Sequence, residues 1–240
     1  MLEINNLTKS YYGDKKAVDN LSLVVEPGDI YGFIGHNGAG KTTTIKCVVG
    51  IHGFQQGEIF IEGISMKENP LLCKQKLSYV PDNPEIYGYL TGIQYLNLIA
   101  DIYQLSREER ERRIEKEAGD FEITSSLGDL ISSYSHGMKQ KLVLIGAMLH
   151  KPKLLVLDEP FVGLDPKASY TLKGKMHQMC REGSAIFFST HVLDTAEKLC
   201  SKAAIIQGGR LIVAGNMEEL TKGESLEQVF MEVAEHGTPN

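Results

Sequence analysis

Apolar positions in the first third of the chain fall in short blocks. They are Leu2 to Ile4, an alternating run from Ala17 to Val25, Ile30 to Ile34, Gly57 to Ile61, and Leu77 to Val80 ending at Pro81. Alternation, or a brief apolar run of this length, is the pattern of strands. A glycine-rich loop follows the third block and leads into a helical run from Lys41. From Thr91 to about Phe121 the spacing becomes helical, through YLNLIADIYQL and then EERERRIEKE, with Ser106 and Glu109 predicted as a capping box opening the charged run. Past Gly137 helices and strands alternate. A helix to Leu149 is followed by the buried strand LLVLD, a helix from Pro166, the strand AIFFS and a helix from Val192, and then by the strands AAIIQ and RLIVAG around Gly208-Gly209. SLEQVFMEVAE reads as a short amphipathic helix, and the end HGTPN is expected to fray. Strands separated by helices predict an α/β fold with a mainly parallel sheet, interrupted by one helical insertion.

Composition narrows the partners more than the fold. The 240 residues are 42% apolar and 23% charged, enough to bury a sizeable core without staples. Against 31 acidic residues stand 25 basic ones, a formal charge of −6, so nothing global attracts nucleic acid and none is expected as partner. Cys47, Cys73, Cys180 and Cys200 lie far apart with no CxxC pair, which reads as buried thiols in a reducing compartment. The start MLEINNLTKSYYG has neither a basic nor an apolar targeting region, and no apolar stretch approaches the roughly 20 residues of a membrane span. The expectation is a cytoplasmic chain whose membrane role, if any, comes through a partner.

The strongest chemical signal is Gly35-His36-Asn37-Gly38-Ala39-Gly40-Lys41-Thr42, a complete GxxxxGK[ST] loop between an apolar strand and a helix. Glycines let backbone N–H groups turn inward around phosphates, and the following helix presents its positive end. Lys41 reaches the β- and γ-phosphates, and Thr42 offers its hydroxyl to Mg²⁺; Thr43 follows at the same helix start. LLVLDEP then supplies Asp158 at the end of a buried strand, suited to hold Mg²⁺. Glu159 is placed to polarise the attacking water as general base. These residues by themselves define an ATPase or GTPase of the phosphate-loop type.

Tyr134-Ser135-His136-Gly137-Met138-Lys139-Gln140, opening a helix shortly before LLVLDEP, resembles the signature segment of ABC ATPases. GLDP at Gly163 to Pro166 and STH ending in His191 follow in that family's order, and the resemblance runs from LTKSYYG to SLEQVFMEV. It implies an ABC ATPase fold in a single domain over 1–240: a phosphate-loop core with an N-terminal antiparallel β subdomain (1–85 and 150–222), a helical subdomain (86–149) and a C-terminal helix (224–235). It also implies that Ser135 and Gly137 cap the γ-phosphate of ATP held by a second copy, that Asp165 couples the two sites, and that His191 contacts the γ-phosphate beside Glu159. Tyr12, with Tyr11 close behind, stands where the family stacks adenine; either tyrosine also suits packing on the first sheet. LEQVFMEV and GIQYL look most like ATPase subunits of bacterial exporters whose membrane halves are separate chains. By that resemblance the cofactors are ATP and Mg²⁺ and the partners are integral membrane permeases and a second ATPase subunit, with the chain peripheral on the inner membrane face. A soluble ABC-type ATPase acting on a non-membrane partner is the alternative.

Three positions depart from the family. Asp82 stands where a glutamine usually reaches Mg²⁺, and suits either a metal-facing carboxylate or a cap of the PDNP loop. His136 replaces the usual glycine of the signature and Met138 the usual glutamine, while Ser135 and Gly137 are kept. The run Glu108 to Glu117 places Arg112 against Lys116 and Glu111 against Glu115, so favourable local pairing is not expected there.

Overall fold

The computed structural model describes residues 1–11, 13 and 15–236, without the side chains of 233–236. The frayed end expected at HGTPN therefore lies, past His236, outside the described residues.

The N-terminal half runs β1 (Leu2–Ser10), β2 (Lys16–Val25), β3 (Ile30–Ile34), α1 (Lys41–Val48), β4 (Gln56–Ile61), β5 (Ile64–Ser65), α2 (Pro70–Lys76) and β6 (Leu77–Val80). Three helices follow: α3 (Gly92–Ile102), α4 (Arg107–Asp120) and α5 (His136–Met148). The remainder is β7 (Leu154–Asp158), α6 (Pro166–Arg181), β8 (Ala185–Thr190), α7 (Leu193–Leu199), β9 (Lys202–Gln207), β10 (Arg210–Asn216), α8 (Met217–Thr221) and α9 (Leu226–His236).

Two sheets result. A four-stranded antiparallel sheet has the order β2-β1-β4-β5, and a six-stranded sheet has the order β10-β9-β3-β8-β7-β6, parallel except for the β9–β10 hairpin. The mainly parallel sheet is as predicted. All five residues of β3 and of β7 are buried, as expected of parallel strands covered on both faces. Tyr31 and Phe33 enter a core shared with Leu2, Ile4 and Ile59 of the small sheet, while Ile30 and Ile34 enter a second core shared with Leu142, Ile145 and Leu172 of the helices. The β3 strand that feeds the phosphate loop is therefore clamped between two hydrophobic layers.

Several local expectations are revised. β1 extends to Ser10, because Asn6 takes a left-handed φ of 51° and the register slips between Ile4 and Leu7. This bulge carries Leu7 back to the core and hides the continuing strand from a period-two reading. The reciprocal capping box sits at Thr91 and Gln94, opening α3, whereas Ser106 only accepts from the Glu109 N–H. Along α4, local pairing does occur: Arg107 pairs with Glu111 and Arg113 with Glu109, both four residues apart. The expectation of unfavourable spacing counted Arg112/Lys116 and Glu111/Glu115 and overlooked these offset pairs. Cys47, Cys73 and Cys200 are buried, Cys180 is half-buried, and all four are free thiols.

Candidate active site

The loop 35–40 leaves β3 and turns into α1 through Gly40, whose φ is 110° and where an added Cβ would stand 2.6 Å from the Ala17 carbonyl oxygen, so there is no room for a side chain. The start of α1 thereby faces a cleft of about 500 Å³ lined by His36, Asn37, Gly38, Gly40, Lys41, Thr42 and Thr43, with Asp82 and Glu159 opposite. Gly35 and Ala39 are buried at the base of the loop. Lys15 and Lys16, on the approach to β2, and the turn Gly208-Gly209 complete the wall.

Lys41 is buried, and its ammonium donates to the carbonyl oxygens of Gly35 (2.6 Å) and His36 (3.3 Å). It also stands 3.5 Å from Glu159 Oε1. His191 Nδ1 approaches the same oxygen at 3.0 Å from the end of β8. Residues far apart in sequence therefore converge on one carboxylate oxygen, which no hydrogen bond holds among the described residues. It retains a lone pair for a further donor such as water.

Glu159 adopts φ 48°, a left-handed conformation uncommon for a side-chain-bearing residue. Ser189 pins it there: its hydroxyl accepts from the Glu159 N–H at 3.1 Å and donates to Asp158 Oδ1. Sequence reading passed over Ser189; a hydroxyl on the strand beside the acidic pair, within the STH motif, was the available signal. Asp158 is fully buried, and Oδ2 has no hydrogen-bond partner among the described residues. Burial pushes its carboxyl above the ordinary range against the opposing pull of Ser189 and the nearby Thr42 hydroxyl, and the charges of Asp82 and Glu159 push the same way as burial. A buried, unpartnered carboxylate oxygen beside a threonine hydroxyl is the donor set a hard divalent cation takes, so the residues fit Mg²⁺.

Asp82 is exposed on the cleft wall and its carboxylate accepts from the Asn83 N–H at 2.8 Å, so it caps its loop and faces the site at once. Tyr12 lies outside the described residues. Tyr11 lines the cleft, with its ring edge-on to His52 and its hydroxyl 3.3 Å from Thr43 Oγ1.

Ser135, Gly137 and Asp165 lie elsewhere: among the described residues none of them lines this cleft. Ser135 caps α5 by accepting from the Met138 N–H at 3.2 Å, and the Gly137 N–H, in the first turn, has no acceptor within the helix. A side chain at Gly137 would meet the Gly163 carbonyl at 2.7 Å, and the His136 ring rests against Gly163. Asp165 caps α6 through the Ala168 N–H and pairs with Lys141 of α5 at 2.7 Å; the Lys141 bond, then the Ala168 bond, hold its carboxyl below the ordinary range. The signature segment and the Gly163–Pro166 loop are thus one packed unit.

The sequence profile of the ABC transporter family matches residues 18–162. The chain belongs to the ABC transporter family. The ABC-type transporter ATP-binding protein EcsA of Bacillus subtilis (strain 168) is 34% identical over 97% of this chain and 96% of its own length. A solved ATP-binding subunit of an ABC transporter superposes with a TM-score of 0.93 at 34% identity, covering 98% of this chain and 99% of that one. The dimeric ATP-binding cassette MJ0796, in a post-hydrolysis state with ADP and Pi, shares the fold with a TM-score of 0.82 at 20% identity over 90% of this chain and 99% of that one. The chain is an ABC ATPase, the ATP-binding subunit of an ABC transporter.

Proposed function

We propose that this ABC ATPase works as one of two copies that sandwich ATP and drive export through separate membrane-spanning subunits, attached peripherally at the inner membrane face. The observation that carries the reading is a division of the site. Lys41 and His191 both approach Glu159 on the cleft wall, while Ser135 and Gly137, an anion-binding helix start, neither line the cleft nor approach that carboxylate among the described residues. This separation supports a reading in which one chain holds each half of a nucleotide sandwich at a different place and a second copy supplies the missing half.

In that assembly Lys41 leaves the Gly35 and His36 carbonyls for the β- and γ-phosphates. Thr42 and Asp158, with Asp82 at the rim, would hold Mg²⁺, which would neutralise phosphate charge when bound. Glu159 takes a proton from water as the water attacks the γ-phosphorus, the bond from that phosphorus to the β–γ bridging oxygen breaks and ADP leaves with that oxygen, while His191 orients the carboxylate and meets the γ-phosphate. Tyr11 or Tyr12 receives adenine. Differential affinity of ATP for the closed pair drives closure, and phosphate release reopens it.

No helix among the described residues is long and apolar enough to cross a membrane. The export reading is supported by the SLEQVFMEV ending, which resembles those of exporter ATPases. The test is affinity purification of tagged Glu159→Gln protein from detergent-solubilised native membranes with Mg²⁺-ATP. A roughly stoichiometric polytopic membrane protein is expected; ribosomes or soluble partners alone would establish the soluble-ATPase alternative.

A further inference from the structure

Helix α9 does more than close the chain. Its buried residues Leu226, Val229 and Phe230 recur at three- and four-residue spacing and form one stripe against the core. Ser225 and Gln228 cap its start reciprocally, and the Leu226 N–H donates to Glu197 Oε2 at 2.8 Å. Glu197 belongs to α7, which begins two residues after His191. One turn further along α9, the Phe230 ring meets the His36 imidazole edge-on, with centroids 4.7 Å apart and planes at 71°. His36 is the phosphate-loop residue whose carbonyl accepts both the Ala39 N–H (3.1 Å) and the Lys41 ammonium (3.3 Å).

We infer that α9 is a strut between the two segments that meet the γ-phosphate, and that Phe230 is a positioning residue that pre-forms the phosphate loop through His36. The aromatic pair fixes the His36 side chain, and hence the backbone turn from which Lys41 and the loop N–H groups are presented. Glu197 ties the other end of the strut to the helix that follows His191. Phe230 touches no phosphate. Its contribution is to reduce the ordering that the loop must undergo when ATP binds. Loss of the contact therefore weakens ATP binding and leaves the chemical step nearly unchanged. The inference rests on the chain's ATPase activity and is independent of export.

The test is a double-mutant cycle on the purified full chain, reading ATP affinity, KM and kcat together with the nucleotide-free melting temperature. Phe230→Leu, with Phe230→Met alongside in case one variant fails to fold, is expected to raise Kd and KM for ATP roughly three- to tenfold, with kcat within about twofold. In a His36→Ala background the same substitution is expected to add less than about a twofold further loss. Parental ATP affinity in folded Phe230 variants would overturn the inference, as would an equal loss in the His36→Ala background or a fall in kcat with KM unmoved. A parent chain that bound no ATP would overturn the inference and the motor reading together, whereas normal parental binding with unaffected variants would overturn the inference alone.

Discussion

Asp158 shows how a single residue can cost the fold stability for the sake of chemistry. It is fully buried, and only one of its oxygens is bonded. Burial raises its carboxyl pKa in the folded chain above the ordinary value, so the protonated form is favoured there. The stability this contributes is complete at acid pH, below the ordinary carboxylate value, and is lost as pH rises through the raised value, so that at neutral pH the ionised group destabilises the nucleotide-free chain. Asp158→Asn is therefore expected to raise the nucleotide-free melting temperature at pH 7 while cutting phosphate release on the order of 100-fold, read by differential scanning fluorimetry and a phosphate-release assay. Lys41, Asp158 and Glu159 were all legible in the sequence because spacing in a continuous motif fixes them. Ser189 was not, because its role depends on β8 lying beside β7, a pairing made across 31 residues.

At the scale of elements, α3, α5 and β6 meet at His150, just past the end of α5. Its ring stacks on Tyr103 with planes 4° apart, and Ser78 Oγ lies 3.4 Å from Nε2. Burial, with a smaller push from the Arg113 charge, lowers the His150 pKa from 6.5 to about 4, against an opposing backbone hydrogen bond at Leu77. The neutral ring is the folded form, so its stability is present above pH 6.5 and is lost as pH falls toward 4. Urea denaturation is expected to show about 2 kcal/mol less stability at pH 5 than at pH 7.5 from this group, and His150→Phe is expected to remove that difference. Element identity was mostly readable from periodicity, including β3, β6 and β7 to the residue. The bulge at Asn6, the short helices α2 and α8, and the true capping box at Thr91 were not, since each is decided by a local bond or register shift that leaves the hydrophobic period ambiguous.

For the whole molecule, the packed unit of Ser135, His136, Gly163 and Asp165 does not line the chain's own cleft among the described residues, which makes self-association the expected consequence of nucleotide binding. Glu159→Gln protein is expected to double in mass on size-exclusion chromatography with light scattering when Mg²⁺-ATP is added, and Ser135→Arg in that background to remain monomeric. A monomeric Glu159→Gln protein with ATP bound would refute the sandwich. The sequence by itself determined the class of chemistry, because the backbone turn around phosphates and the carboxylate pair at a strand end require particular residues at particular spacing within short segments. Only the tertiary structure decided which residues meet. Parallel strand order brings β7 and β8 together so that Glu159 faces His191 and Lys41, while docking of α9 places Phe230 against His36 of the phosphate loop, and the signature is set apart from the cleft. Such contacts depend on sheet topology and helix docking, which long-range burial of apolar surface selects and no local pattern encodes.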